Sequence, residues 1–172
     1  GELLRGHFRM FVRGLIERSI LWWASAERIS RLIRVEGVEH FDAVMGKPAI
    51  LLTPHFVGMD AGGQWVAQHT DTVCMYANQK SRYLTELLLK KRARFRNQRL
   101  YSRQQGLRPI LKGMREGCPF IYPPDQDQGI KDGAFIPFFG VPAATMTSVP
   151  RIAQMTGAKV LPGITRLLPG GQ

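Results

Sequence analysis

The sequence lacks the features that mark disulfide frameworks, zinc sites and membrane-spanning helices. Its two cysteines, Cys74 and Cys118, lie far apart in apolar, strand-like runs, which predicts buried thiols in a reducing compartment. No stretch of about 20 apolar residues is present, so no segment is expected to span a bilayer. Because neither an internal repeat nor a low-complexity linker divides the chain, we expect a single domain over residues 1–172.

Acidic residues are scarce, and the formal net charge is +11. This balance is typical of proteins that bind nucleic acid, an anionic membrane surface, or an acidic substrate or carrier. The excess of positive charge is greatest over residues 80–112, which contain eleven Lys and Arg and a single acid, Glu86. A solvated helix face is one explanation, but such faces normally mix signs, so a site for phosphates or an acidic protein is favoured. Nucleic acid is not expected, because no helix-turn-helix, RRM, KH or zinc-finger signature accompanies the charge.

Strand-like and helix-like patterns alternate along most of the chain. Strands are predicted over residues 31–37, 48–53, 71–76, 118–122 and 158–162, and helices over residues 3–23, 58–68, 81–96, 107–115 and 145–155. Alternation of this kind predicts an α/β fold with a largely parallel mixed sheet flanked by helices.

The first predicted helix is basic and amphipathic. Four arginines fall between apolar residues that recur at helical spacing, namely Arg5, Arg9, Arg13 and Arg18. Two interpretations are open. The helix either packs on the core with a solvated outer face, or lies at a membrane surface with Trp22 and Trp23 as interfacial anchors.

A histidine and an aspartate, His55 and Asp60, lie in the turn and helix start that follow the strand predicted at residues 48–53. In a continuous helix, residues five apart point about 140° away from each other. The pair can therefore meet only across a strand-to-helix turn, which Gly58 makes easy. There Asp60 would accept a hydrogen bond from one imidazole nitrogen and leave the other free as a base. The alternative is an ordinary loop histidine, with an aspartate favoured by the helix dipole.

Two further segments contain chemically suggestive residues. Asp125 and Asp127 lie in a Pro- and Gly-rich turn after the strand predicted at residues 118–122. Aspartates are common in turns, and paired carboxylates also suggest a metal site. With only two acids and no His or Glu nearby, no metal is expected. Residues 135–145 are apolar enough to line a ligand pocket or to form ordinary core.

Four blocks together carry a resemblance to a known family. They are PHFVGMD at residues 54–60, KRARF at 91–95, PDQDQG at 124–129, and FIPFFG at 135–140 followed by AAT at 143–145. In this order they resemble the lipid A biosynthesis late acyltransferases, the lauroyl/myristoyl transferase family, over nearly the whole chain. The FPEGT run of lysophosphatidate acyltransferases is absent, which argues against a glycerophosphate acceptor.

The resemblance implies a glycerolipid-acyltransferase-like α/β fold and an enzyme at the cytoplasmic face of the Gram-negative inner membrane. Its expected partners are acyl carrier protein, a lipid A precursor and an anionic membrane surface. The reaction would move a fatty acyl chain from the carrier thioester to a hydroxyl of the precursor, without a cofactor. His55 is the expected general base and Asp60 its orienting acid. Substrate contacts are expected from the basic block and the acidic turn, that is, from Arg92, Arg94, Arg96, Asp125 and Asp127.

The chain departs from the family pattern at Asp60, where many members carry Glu. We also expect it to be a fragment that lacks the N-terminal membrane anchor and a C-terminal segment, because it begins with Gly and ends amid turn residues. Two alternatives remain. One is a related acyltransferase that acts on another lipid or glycolipid acceptor. The other is a non-enzymatic basic protein that binds membranes or nucleic acid.

Overall fold

The structure is a computed structural model that describes residues 1–126 and 133–168. In chain order its elements are α1 (Glu2–Trp23), α2 (Ala26–Leu32), α3 (Val38–Asp42), β1 (Ala49–Leu52), α4 (Met59–His69), β2 (Thr72–Tyr76), α5 (Arg82–Arg92), β3 (Gln98–Ser102), α6 (Arg108–Arg115), β4 (Phe120–Tyr122), β5 (Gly133–Phe138), β6 (Val141–Met146), α7 (Ser148–Thr156) and β7 (Lys159–Pro162). A short 3-10 turn, Arg103–Gln105, follows β3.

Five parallel strands form the central sheet in the order β3-β2-β4-β1-β7. Ile50, Val73 and Phe120 from its three inner strands are fully buried, and they pack against Ile110 and Met114 of α6. Apolar strands buried in this way are typical of parallel sheets covered by helices. The predicted α/β fold is confirmed. The antiparallel part is a separate two-stranded hairpin, β5–β6.

Three predicted elements differ from the observed ones. No strand forms over residues 31–37, where α2 ends at Leu32 and an irregular segment follows. The helix predicted to residue 96 ends at Arg92, and the turn over residues 93–97 leads into β3. The helix predicted from residue 145 begins at Ser148, because the preceding residues form β6. β3 escaped prediction because it is a sheet-edge strand, where only Gln98 is buried and polar residues are tolerated.

The FIPFFG segment forms an exposed hairpin, which corrects both interpretations of it as pocket lining and as core. Phe138 and Val141 pair across a two-residue turn, and both side chains are mostly exposed. Phe139 at the tip has φ 50° and is 92% exposed, and Gly140 follows with φ 78°. Positive φ at both central residues is the geometry that right-twisted hairpins favour.

Helix α1 packs on the domain mainly through its C-terminal half. Leu21 is buried, and Gly14 lies against Val57. The apolar residues of its first four turns are about half exposed or more, namely Leu3, Leu4, Phe8, Phe11, Val12, Leu15 and Ile16. Because this apolar stripe is exposed, the interpretation of α1 as a core helix with a solvated polar outer face is wrong for the N-terminal part of the helix. Among the described residues, no helix is long and apolar enough to cross a membrane.

Gly113 of α6 marks the closest approach between a helix and the sheet. A Cβ built at this position would overlap Cγ1 of Val73, which is fully buried in β2. We expect Gly113→Ala to destabilise the fold by about 1–3 kcal/mol, because overpacking outweighs the gain in helix propensity. Gly63→Ala in α4 is the matched control, since a Cβ there meets open space. Urea unfolding should show Gly63→Ala neutral or up to about 1 kcal/mol stabilising; equal effects of the two substitutions would contradict this account.

Candidate active site

The site lies where β1 and β4 end side by side. Leu52, the last residue of β1, is in register with Tyr122, the last residue of β4. His55 and Asp125 each follow three residues after these partners, so parallel pairing brings the two turns together. This edge, at the carboxyl ends of the strands, is where open α/β sheets place ligands.

Asp125 is the carboxylate that contacts His55. Its Oδ1 lies 2.8 Å from the His55 ring Nδ1, and its Oδ2 accepts the His55 backbone N–H at 2.8 Å. An ionised carboxylate only accepts hydrogen bonds, so Nδ1 carries the proton in this pair. The other ring nitrogen, Nε2, lies 3.2 Å from the amide nitrogen of Gln126, which can only donate. Both contacts select the tautomer whose Nε2 is basic.

The environment of Asp125 favours its ionised form. Burial acts to raise the pKa of this carboxyl, but the hydrogen bonds from the His55 ring and backbone outweigh burial, and the pKa lies below its ordinary value. Both side chains are about one-third exposed, at 32% for His55 and 36% for Asp125. The pair is therefore fixed in geometry and still reachable by a substrate.

Asp60 contacts two arginines instead of His55. Its Oδ2 accepts from Nε of Arg18 at 2.7 Å, and its Oδ1 lies 3.6 Å from a terminal nitrogen of Arg92. The structure thus corrects the expected hydrogen bond between Asp60 and His55. The physical reason is that Asp60 lies in the first turn of α4, a helix that contacts α1 and α5. The turn after β4 instead brings Asp125 to the imidazole.

The three arginines in and directly after the KRARF block, Arg92, Arg94 and Arg96, have different surroundings. Arg94 donates to the carbonyls of Leu21 and Ala24 at the end of α1. Arg96 donates to the Gln68 carbonyl near the end of α4 at 2.9 Å. Arg94 therefore makes a structural contact with α1, and one Arg96 donor is likewise bound to a helix end. Substrate contact by Arg94 and Arg96 stays a prediction. Arg92 lines the cavity beside the site, and its contact with a substrate stays a prediction. Asp127 lies outside the described residues.

Arg94→Ala is expected to lower stability by about 1–3 kcal/mol, because it leaves two partly buried carbonyls of α1 without their charged donor. Lys91 Nζ lies 3.2 Å from the Trp23 ring centroid and would still hold α1. The measurement is thermal unfolding together with hydrogen exchange at the end of α1. Arg96→Ala removes a guanidinium that bonds a single carbonyl, and should cost less. A higher acceptor KM with unchanged α1 protection would contradict a structural role for Arg94.

A cavity of about 710 Å³ opens beside His55. Its polar lining includes Asp60, Arg92 and Arg103, and its apolar lining includes Met75, Leu88, Leu89 and Leu100. Cavities of this size, mostly apolar with a few convergent polar groups, are the usual form of small-molecule and lipid sites.

Sequence reasoning missed the roles of Gln126 and Arg18, and it gave Asp125 a substrate-binding role instead of the contact with His55. Gln126 Oε1 lies 3.4 Å from Arg103, so this amide is held between the guanidinium and the imidazole. A usable signal for Asp125 was its position in a polar turn after a buried strand. Arg18 gave no comparable signal, because its sequence neighbours form an ordinary basic helix.

Comparison of this sequence with known proteins finds a matching family and several relatives. A family model described as bacterial lipid A biosynthesis acyltransferase matches residues 2–171. The lipid A biosynthesis lauroyltransferase of Escherichia coli (strain K12) is 28% identical over 96% of this chain and 55% of its own length. A lipid A biosynthesis acyltransferase of Haemophilus influenzae is 32% identical over 76% of this chain and 42% of its own length. The E. coli lipid A biosynthesis myristoyltransferase is 28% identical over 79% of this chain and 43% of its own length. The chain spans about half the length of these relatives.

Proposed function

Because this chain belongs to the bacterial lipid A biosynthesis acyltransferase family, we propose that it carries the reaction centre of a lipid A acyltransferase. The donor is a fatty acyl thioester of acyl carrier protein, and the acceptor is a hydroxyl group of a lipid A precursor. One observation carries the proposal. The tautomer of His55 is set by Asp125 so that a basic Nε2 stands at the carboxyl edge of the sheet, beside an apolar cavity.

The reaction needs a base because a hydroxyl is a weak nucleophile at neutral pH. His55 Nε2 takes the proton of the acceptor hydroxyl as the oxygen bonds to the thioester carbonyl carbon. The amide of Gln126, which donates to Nε2 in the resting site, must give way to that hydroxyl. Asp125 stabilises the imidazolium that forms. When the tetrahedral intermediate collapses, the C–S bond breaks and the thiolate takes the proton from Nε2. No metal or organic cofactor is needed.

The tetrahedral intermediate carries negative charge on the former carbonyl oxygen. We assign its stabilisation to the backbone N–H groups of Val57 and Gly58, in the turn that follows His55. Within the described residues neither of these groups donates to a carbonyl or a side chain. Preorganised donors of this kind typically contribute about 10²–10³-fold in rate.

Two surfaces fit the remaining partners. The exposed apolar stripe of α1 is flanked by arginines, which is the composition of helices that lie on anionic membranes. It supports attachment to the cytoplasmic face of the bacterial inner membrane. Helix α5 and the two residues before it expose Lys80, Arg82 and Lys90, which suit an acidic carrier protein.

The direct test is mass spectrometry of the lipid product. The protein is incubated with a purified lipid A precursor and a mixture of acyl carrier thioesters, and the expected product is heavier by one acyl chain. A precursor whose acyl-chain hydroxyls are blocked is the matched control and should stay unchanged. Acyl transfer to another glycolipid, with none to the precursor, would overturn the proposed acceptor. No consumption of thioester with any acceptor would overturn the enzymatic assignment.

A further inference from the structure

Arg18 of α1 reaches the same carboxylate as Arg92 of α5. Arg18 uses only its Nε for Asp60, at 2.7 Å, and Arg92 stands 3.6 Å from the other oxygen. Two guanidinium groups held on one carboxylate leave a local charge of +1. Asp60 therefore fixes the two arginines close together without neutralising them.

Both arginines keep donors available. Within the described residues, the terminal nitrogens of Arg18 and all donors of Arg92 make no hydrogen bond within the usual distance. Their side chains are 38% and 36% exposed, whereas Asp60 is only 25% exposed. The donors are thus accessible to a ligand, and the carboxylate is the least exposed member of the cluster.

We propose that Arg18 and Arg92 form a phosphate-binding site, with Asp60 as the residue that positions them. A guanidinium presents parallel N–H groups that match two oxygens of a phosphate, and two such groups can hold one phosphate from two sides. The inference rests on the proposed function and deepens it, because it assigns a substrate phosphate to a residue of α1. It gives α1 a second task beside contact with lipid, since Arg18 completes the site only while α1 is docked.

Two substrates carry this chemistry. One is the phosphorylated lipid acceptor, and the other is the acyl carrier, whose prosthetic arm is joined through a phosphodiester. The acceptor is favoured, because Asp60 and Arg92 line the cavity that also contains His55, and the acceptor hydroxyl must reach that base.

Steady-state kinetics with Arg18→Ala separates the sources. The acceptor KM should rise about 10- to 100-fold, the usual worth of charge-assisted hydrogen bonds, while kcat and the donor KM change little. With a dephosphorylated acceptor, Arg18→Ala and the unmodified protein should have the same acceptor KM. Arg18→Lys keeps the positive charge, so its acceptor KM should rise less than that of Arg18→Ala. Arg115→Ala, which removes an exposed arginine of α6 that does not line the cavity, controls for net charge. A rise confined to the donor KM would assign the site to the carrier phosphodiester.

If Arg18→Ala raised the acceptor KM equally with and without acceptor phosphates, the proposal would be overturned. Arg18 would then be a residue that only docks α1. A binding measurement keeps this outcome separate from failure of the proposed function, because it needs no turnover. Calorimetric titration of glucosamine 1-phosphate, with glucosamine as the phosphate-free control, should show binding that Arg18→Ala and Arg92→Ala each weaken. Equal binding of the two sugars would overturn the phosphate site even if acyl transfer is observed.

Discussion

His55→Ala is expected to abolish acyl transfer while leaving the fold intact. The imidazole is about one-third exposed and contributes little to the core, so its loss should hardly change the unfolding midpoint. Its removal eliminates Nε2, which is basic because Asp125 holds the proton on Nδ1, and the acceptor hydroxyl then has no base. General-base catalysis is typically worth about 10²–10⁴-fold, so kcat should fall by at least about 10², or roughly 3 kcal/mol in activation free energy.

The measurement is single-turnover transfer of a labelled acyl chain to the lipid A precursor. His7→Ala is the matched control, because His7 is an exposed histidine of α1 outside the site. Acceptor binding by His55→Ala should be preserved, since the arginines near Asp60 are untouched. A variant that folds and still transfers the acyl chain at the normal rate would remove His55 from the mechanism.

The sequence specified the local elements of this fold better than their arrangement. Helix α4 and strands β1 and β2 were predictable because their apolar periodicity is contained within each segment. The turn after β1 was also predictable, and His55 within it. The hairpin tip was not, because Phe139 is exposed with a positive φ, against the usual preference of an aromatic residue.

The pairing of His55 with Asp125 could not be derived from spacing. It depends on β4 lying beside β1, and about 70 residues separate the two strands along the chain. Strand order is a property of the whole sheet, and a single sequence gives no covariation to reveal it. The nearer acid, Asp60, was therefore the natural choice by local reasoning. In the structure, Asp60 instead contacts Arg18 and Arg92.

Asp125→Asn is expected to lower kcat by about 10²–10⁴-fold with little change in either KM. Asp125 accepts two hydrogen bonds from His55, one from the ring and one from the backbone. An asparagine offers one oxygen and one donor amide, so it satisfies only one of them. If the amide faces the ring, it favours the tautomer that protonates Nε2 and removes the base; losses of about 10⁴ are known for such a change in a catalytic triad.

The pKa of Asp125 sharpens this expectation. Because that pKa lies below its ordinary value, the carboxylate stays ionised at neutral pH, and its stabilising contacts with His55 disappear only on acidification through the lowered pKa. Mild acidification should therefore leave the geometry of the native pair intact. Asp125→Asn should show its full defect at neutral pH, and raising the pH should not restore activity.

Asp60→Asn is the matched comparison, because it makes the same chemical change at the carboxylate that does not touch His55. It should chiefly raise the acceptor KM, since Arg18 and Arg92 lose their charged anchor, and it should reduce kcat much less than Asp125→Asn. Steady-state kinetics on both variants, with unfolding curves to confirm the fold, decides between the two acids. A large loss of kcat in Asp60→Asn with normal turnover in Asp125→Asn would return the orienting role to Asp60.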